Sequence, residues 1–131
     1  MTKPPSPAAV HVTEAELAVL TVLWEEGNRS SRELTERLYP ACAPADVATV
    51  QKLVQRLENK GFVLRDRTER VHRFRAAVPQ QQFAAQQLSQ LAEKLSGGSL
   101  TPLLVHLVEN NRLSRRELDE LRALLDARKR R

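Results

Sequence analysis

Between residues 46 and 61 the apolar positions recur at helical spacing. Val50, Leu53, Val54 and Leu57 make one narrow stripe, which predicts a helix with a single buried face. Asp46 can cap its first turn, and Gly61 can take the left-handed conformation that ends it. The opposite face carries Ala48, Lys52, Gln55 and Asn59, flanked by Thr49, Gln51 and Arg56. That face has few acids and several side chains able to hydrogen-bond base edges or phosphates.

The same pattern places other elements before this helix. Thr13-Glu14-Ala15-Glu16 is a capping box that opens a helix over residues 13–26, with Leu17, Leu20, Leu23 and Trp24 inside. Ser30-Ser31-Arg32-Glu33 is a second box, opening a helix over 30–39 with Leu34 and Leu38 inside. Pro40 and Pro44 are expected to stop it and stiffen the connection to the helix at 46–60. The last two helices read as a helix-turn-helix.

After Gly61 the period changes to two. Phe62-Val63-Leu64-Arg65 is β-prone, and Val71-His72-Arg73-Phe74-Arg75 alternates. Asp66 to Arg70 suits a hairpin tip, so the hairpin reads as a wing beside the third helix. Arg73 and Arg75 fall on the face opposite Phe74, and His72 is assigned to that opposed side or the wing edge.

Beyond Pro79 the helical period returns. Ala84, Leu88, Leu91, Ala92 and Leu95 form one stripe, and Gly97-Gly98 breaks it. Leu100, Leu103, Leu104, Leu107 and Val108 form a second, with Pro102 in a first turn where it is tolerated. Ser114-Arg115-Arg116-Glu117 is a third capping box, followed by Leu118, Leu121, Leu124 and Leu125. Such short, one-sided helices must bury their leucines against something, and a second copy is the favoured partner. A monomer with a helical cap is the other arrangement. The expected fold is therefore mainly α with a small β-hairpin. Residues 1–12 form a flexible tail, 13–78 a winged helix-turn-helix domain, and 79–131 a helical dimerisation domain.

Composition narrows the function. The chain has 131 residues, 41% of them hydrophobic, enough for one ordinary domain. No apolar run approaches the ~20 residues of a membrane span, so no membrane insertion is expected. The proline-rich start lacks the apolar core of a signal peptide, and a cytoplasmic location is expected. The single cysteine, Cys42, excludes an internal disulfide or a multi-cysteine metal site. His11, His72 and His106 are too scattered to suggest a metal, and no cofactor or catalytic motif stands out. The formal charge of +5 fits nucleic acid, although Arg128-Lys129-Arg130-Arg131 supplies much of it.

Three segments together resemble a known family. They are Thr13-Glu14-Ala15-Glu16-Leu17-Ala18-Val19-Leu20, then Leu23-Trp24, then Thr49 through Val63. With the wing Arg70-Val71-His72-Arg73-Phe74-Arg75 and Gly97-Gly98-Ser99, they look like the penicillinase-repressor family of winged-helix regulators. The resemblance implies a homodimeric repressor on a palindromic double-stranded DNA operator. It also implies a membrane sensor metalloprotease that cuts the dimerisation region. The chain departs from the family at Ala48 and Gln51, where lysine and arginine are common, which implies a different operator or weaker contact. The scissile position of the staphylococcal repressors, Asn-Phe, falls at His106 and Leu107. The copper-responsive branch has a C-terminal cysteine cluster that is missing here.

The resulting reading is a DNA-binding repressor and not an enzyme. Thr49, Gln51, Lys52 and Gln55 are candidates for base edges. Arg32, Arg56, Arg70 and Arg73 are candidates for phosphates. Leu100, Leu103, Leu104, Leu107, Leu118, Leu121 and Leu125 are candidates for the dimer seam. The alternatives are a winged-helix protein-interaction module and a non-specific architectural DNA binder.

Overall fold

The structure is a computed structural model that describes residues 11–129. Six helices and three strands follow in the order α1 (Glu14–Glu26), β1 (Arg29–Ser30), α2 (Ser31–Leu38), α3 (Pro44–Lys60), β2 (Val63–Asp66), β3 (Arg73–Ala76), α4 (Gln80–Ser96), α5 (Thr101–Glu109) and α6 (Arg115–Lys129). Most of the expected flexible tail lies outside the described residues, as do Arg130 and Arg131. Among the described residues no helix is long and apolar enough to cross a membrane.

The chain divides into two compact units, one reaching Leu88 and one beginning at Ser89. The division falls within α4 instead of at Pro79. Phe83 explains the shift. It is buried in the first unit, edge-on to Phe62 and tilted against Trp24, each at 5.2 Å between ring centroids. Trp24 is held from its polar end as well, its Nε1 donating to Val78 O at 2.9 Å.

The core of the first unit is built from the helical stripes. Val19, Leu20, Val22 and Leu23 of α1, Leu34 of α2, and Val50, Leu53, Val54 and Leu57 of α3 pack with Phe62, Val63 and Phe74. Leu17 is not among them and stands 40% exposed, because Glu16 takes the inward position beside it. Both expected capping boxes form, with Thr13 and Glu16 closing α1, and Ser30 and Glu33 closing α2.

Two further differences from the sequence reading concern α3. Pro44 does not stop the preceding helix; it is the first residue of α3, where its missing N–H costs nothing. Asp46 consequently sits inside the first turn, and its Oδ2 accepts the Ala43 N–H at 3.1 Å. At the other end Gly61 has φ 88° and ψ 11°, and Phe62 N–H donates to Leu57 O at 2.9 Å. A side chain at Gly61 would be strained in that left-handed turn, which aims the chain into β2.

The expected hairpin is part of a three-stranded antiparallel sheet in the order β1-β3-β2. Arg65 lies opposite Phe74 in the β2–β3 pair, and Arg29 lies opposite Phe74 on the other side. Two residues are too short for a periodic signal, and β1 is a strand only through its register with β3. The wing tip is an Asx turn: Asp66 Oδ1 accepts from Thr68 N at 2.9 Å and from Thr68 Oγ1 at 2.7 Å. Those bonds from Thr68 hold the Asp66 carboxyl below its ordinary value.

The second unit has the expected helices but almost no interior. Among the described residues Ala92 is its one fully buried apolar residue, and neither α5 nor α6 buries any. Leu104, Leu107, Leu118, Leu121 and Leu125 are 37–61% exposed, while Leu100 and Leu103 are half-buried. The local signals are nevertheless in order. Gly98 N–H closes α4 on Ala92 O at 3.0 Å, and Ser114 and Glu117 form the third capping box. A cleft along α6, reached by Val108 of α5, has Leu118, Leu121 and Leu125 in its lining together with charged residues such as Arg115, Asp119 and Arg122.

Candidate nucleic-acid interface

The outward face of α3 is set by what holds its inward face. Val50, Leu53, Val54 and Leu57 are buried, which leaves Ala48, Thr49, Gln51, Lys52, Gln55, Arg56 and Asn59 exposed on the remaining surface. The last turn is anchored by Lys60. Its Nζ lies 2.7 and 2.9 Å from the two oxygens of Glu16 and donates to His11 O at 2.9 Å. Burial alone would raise the Glu16 carboxyl, but the bonds from Lys60 and Thr13 outweigh it and hold it below its ordinary value.

The wing is wired to the same helix. Arg65 Nε donates to Glu58 Oε1 at 3.1 Å, and Arg67 Nη2 donates to Glu58 Oε2 at 3.0 Å. Arg65 also donates to Gln55 Oε1 at 3.0 Å, lies 3.4 Å from His72 Nδ1, and stacks 4.7 Å from the Phe74 ring centroid. His72 and Phe74 therefore both meet Arg65, so of the two expected placements, opposed to Phe74 or at the wing edge, the first does not hold; residues two apart in extended chain point the same way. Between α2, α3 and the wing lies a polar cleft of about 310 Å³, lined by Ser31, Gln51, Gln55, Arg65, His72 and Phe74.

The expected base-reading residues share one helix face, but their side chains differ in freedom. Gln51 and Lys52 are exposed and make no hydrogen bond or ion pair among the described residues. Thr49 Oγ1 donates back to Ala45 O at 2.9 Å. Gln55 is held at both ends, its Nε2 donating to Asn59 Oδ1 at 3.0 Å.

The expected phosphate-binding residues divide likewise. Arg56 and Arg70 are exposed and have no ion-pair partner among the described residues, and the same holds for Arg75. Arg32 pairs with Glu36 at 3.3 Å on open surface, a contact worth little and easily exchanged. Arg73 is occupied. Its Nε and Nη2 donate to Asn28 at 3.0 and 3.1 Å, and its Nη1 lies 3.1 Å from Glu33 Oε1. The Ser30 backbone bond, with lesser help from Arg73, holds the Glu33 carboxyl below its ordinary value. Glu58 and Asn28 were not singled out by the sequence. Their partners, Arg65 and Arg73, lie on the wing, where no helical period points.

The penicillinase repressor family matches residues 12–127. The chain belongs to that family. Its members are transcriptional repressors, not enzymes. The penicillinase repressor of Staphylococcus aureus is 23% identical over 89% of this chain and 92% of its own length. The methicillin resistance regulatory protein MecI of Staphylococcus aureus (strain N315) is 24% identical over 88% of this chain and 93% of its own. The penicillinase repressor of Bacillus licheniformis is 23% identical, covering 92% of this chain and 93% of its own length. Among solved structures, a MarR family protein from Bacillus stearothermophilus aligns with a TM-score of 0.46 at 26% identity, over 89% of this chain and 77% of that one.

Proposed function

We propose that two copies of this chain grip a palindromic operator and block transcription, each laying α3 in one major groove with its wing on the adjoining backbone. The observation that carries this is the pairing of an uncommitted polar face on α3 with uncommitted cations beside it. Gln51 and Lys52 have free hydrogen-bonding ends, and Arg56, Arg70 and Arg75 have no ion-pair partner among the described residues. Thr49, Gln51, Lys52 and Gln55 read base edges, while Arg32, Arg56, Arg70 and Arg75 hold phosphates. Arg73 was expected on a phosphate, but it gives its nitrogens to Asn28 and Glu33, so we assign it to fixing the sheet.

Pairing through the second unit supplies the other half of the mechanism. Its leucines are only partly covered within the described residues, and a self-complementary seam from Leu100, Leu103, Leu104, Leu107, Leu118, Leu121 and Leu125 covers the rest of their surface. Two half-sites held together bind far more tightly than either alone. Separating the leucine helices releases DNA. A cut at His106–Leu107, on exposed α5, is one way to do so, and a membrane sensor metalloprotease is the partner that would make it.

Selection from a library of random 30-base-pair duplexes, in the presence of competitor DNA, tests this reading. The expected product is one palindromic consensus bound by a dimer. If about eight phosphates are neutralised, log affinity falls with log salt at a slope near −7. Binding without a consensus leaves an architectural role, and no binding leaves a protein-docking role.

A further inference from the structure

Each of the three nitrogens of Arg65 has a partner inside the protein. Its three nitrogens meet Glu58 Oε1, His72 Nδ1 and Gln55 Oε1, and its flat face rests on Phe74. Its side chain is only 18% exposed and that of Glu58 19%. A guanidinium so enclosed is poorly placed for a phosphate, although its position in a basic wing suggests one. Its effect is on Gln55. The Arg65 bond turns Gln55 Oε1 toward the wing, and Asn59 Oδ1 takes one hydrogen of Gln55 Nε2 at 3.0 Å.

This changes what Gln55 can read. A glutamine that pairs bidentately with adenine needs its oxygen for N6–H and its amino group for N7. Here Arg65 binds the oxygen and draws it toward the wing, and the donors left free are the second hydrogen of Gln55 Nε2 and the amino group of Asn59, which has no partner among the described residues. Two donors side by side match the O6 and N7 acceptors of guanine.

We propose that Arg65 is a positioning residue for sequence reading, fixing the Gln55–Asn59 pair as donors so that it selects guanine over adenine. The proposal rests on α3 entering the major groove. Arg65 acts through Gln55 and does not touch DNA. Glu58 is the anchor that holds Arg65 in place and, through Arg67, the rest of the wing.

The test compares the full chain with Arg65→Met, Gln55→Ala and the double variant, each taken through random-duplex selection and salt titration. Wild type is expected to prefer guanine at one position per half-site. Arg65→Met shifts that position toward adenine by about five- to a hundredfold, with the salt slope unchanged. The double variant matches Gln55→Ala, because Arg65 has nothing left to orient. An Arg65→Met slope shallower by about two per dimer, with the preference unchanged, overturns the proposal, since it marks a lost phosphate contact in each subunit. If Arg65→Met does not fold, Glu58→Gln is measured instead: a smaller shift at the same position supports the proposal, and no shift overturns it. A wild-type selection with no consensus overturns the parent reading of α3, and this proposal with it. A consensus whose position is indifferent to Arg65 overturns this proposal alone.

Discussion

Lys60 Nζ sits 2.7 Å from Glu16 Oε1, and so joins the last turn of α3 to the first turn of α1. Glu16 is fully buried while the Lys60 side chain keeps 26% of its surface. The pair therefore fixes the end of α3 from a low-dielectric position, where losing one member strands the other.

Glu16→Gln is expected to destabilise the first unit by about 3 kcal/mol at neutral pH. The Glu16 carboxyl is held below its ordinary value of 4.5. Its contribution is thus complete above that value and lost as pH falls through the lower folded-state value. Urea denaturation of wild type and variant at descending pH should show the gap closing below about pH 4.5. A gap that stays constant into strong acid would show that the carboxylate charge is not what stabilises.

Arg70→Ala and Arg56→Ala should each make the salt dependence of DNA binding shallower by about two per dimer, without altering sequence preference. Arg73→Ala should leave that slope alone and lower stability, because Glu33 and Asn28 lose their common partner. Gln51→Ala and Lys52→Ala should change the selected sequence. Fluorescence anisotropy at several salt concentrations separates these outcomes.

Replacing Leu118 and Leu121 together by aspartate is expected to yield a monomer in sedimentation velocity. Operator affinity should drop by about 10²- to 10⁴-fold, the range lost when two linked sites become independent. A variant that sediments as a dimer would move the seam elsewhere on the second unit.

Phe83→Ala should cost about 3 kcal/mol, since it empties a slot shared by Trp24 and Phe62. A fragment of residues 11–88 should accordingly fold with its tryptophan emission unchanged. One ending at residue 78 should be markedly less stable by the same measurement.

The sequence was most legible where physics is local. Three capping boxes, the glycine at the end of α3 and the stripe Val50-Leu53-Val54-Leu57 all depend on neighbours within a few residues, and all appear as expected. Legibility failed where a distant partner decides. β1 is a strand only because β3 lies beside it, and Phe83 joins the first unit only because Trp24 and Phe62 leave it a place. Leu17 faced outward because the neighbouring Glu16 had a lysine waiting 44 residues on. The candidate surface divided the same way. Periodicity put Thr49, Gln51, Lys52 and Gln55 on one helix, but it could not tell that Arg73 and Gln55 were already bonded while Arg56 and Gln51 were not.

Among the described residues the second unit hides one fully buried apolar residue, Ala92. If its leucines are covered only by another copy, then thinning the protein out acts on this half as heat or urea would on an ordinary domain. Its folding becomes a matter of how many copies the cell holds, and operator occupancy falls with abundance more steeply than simple binding would allow.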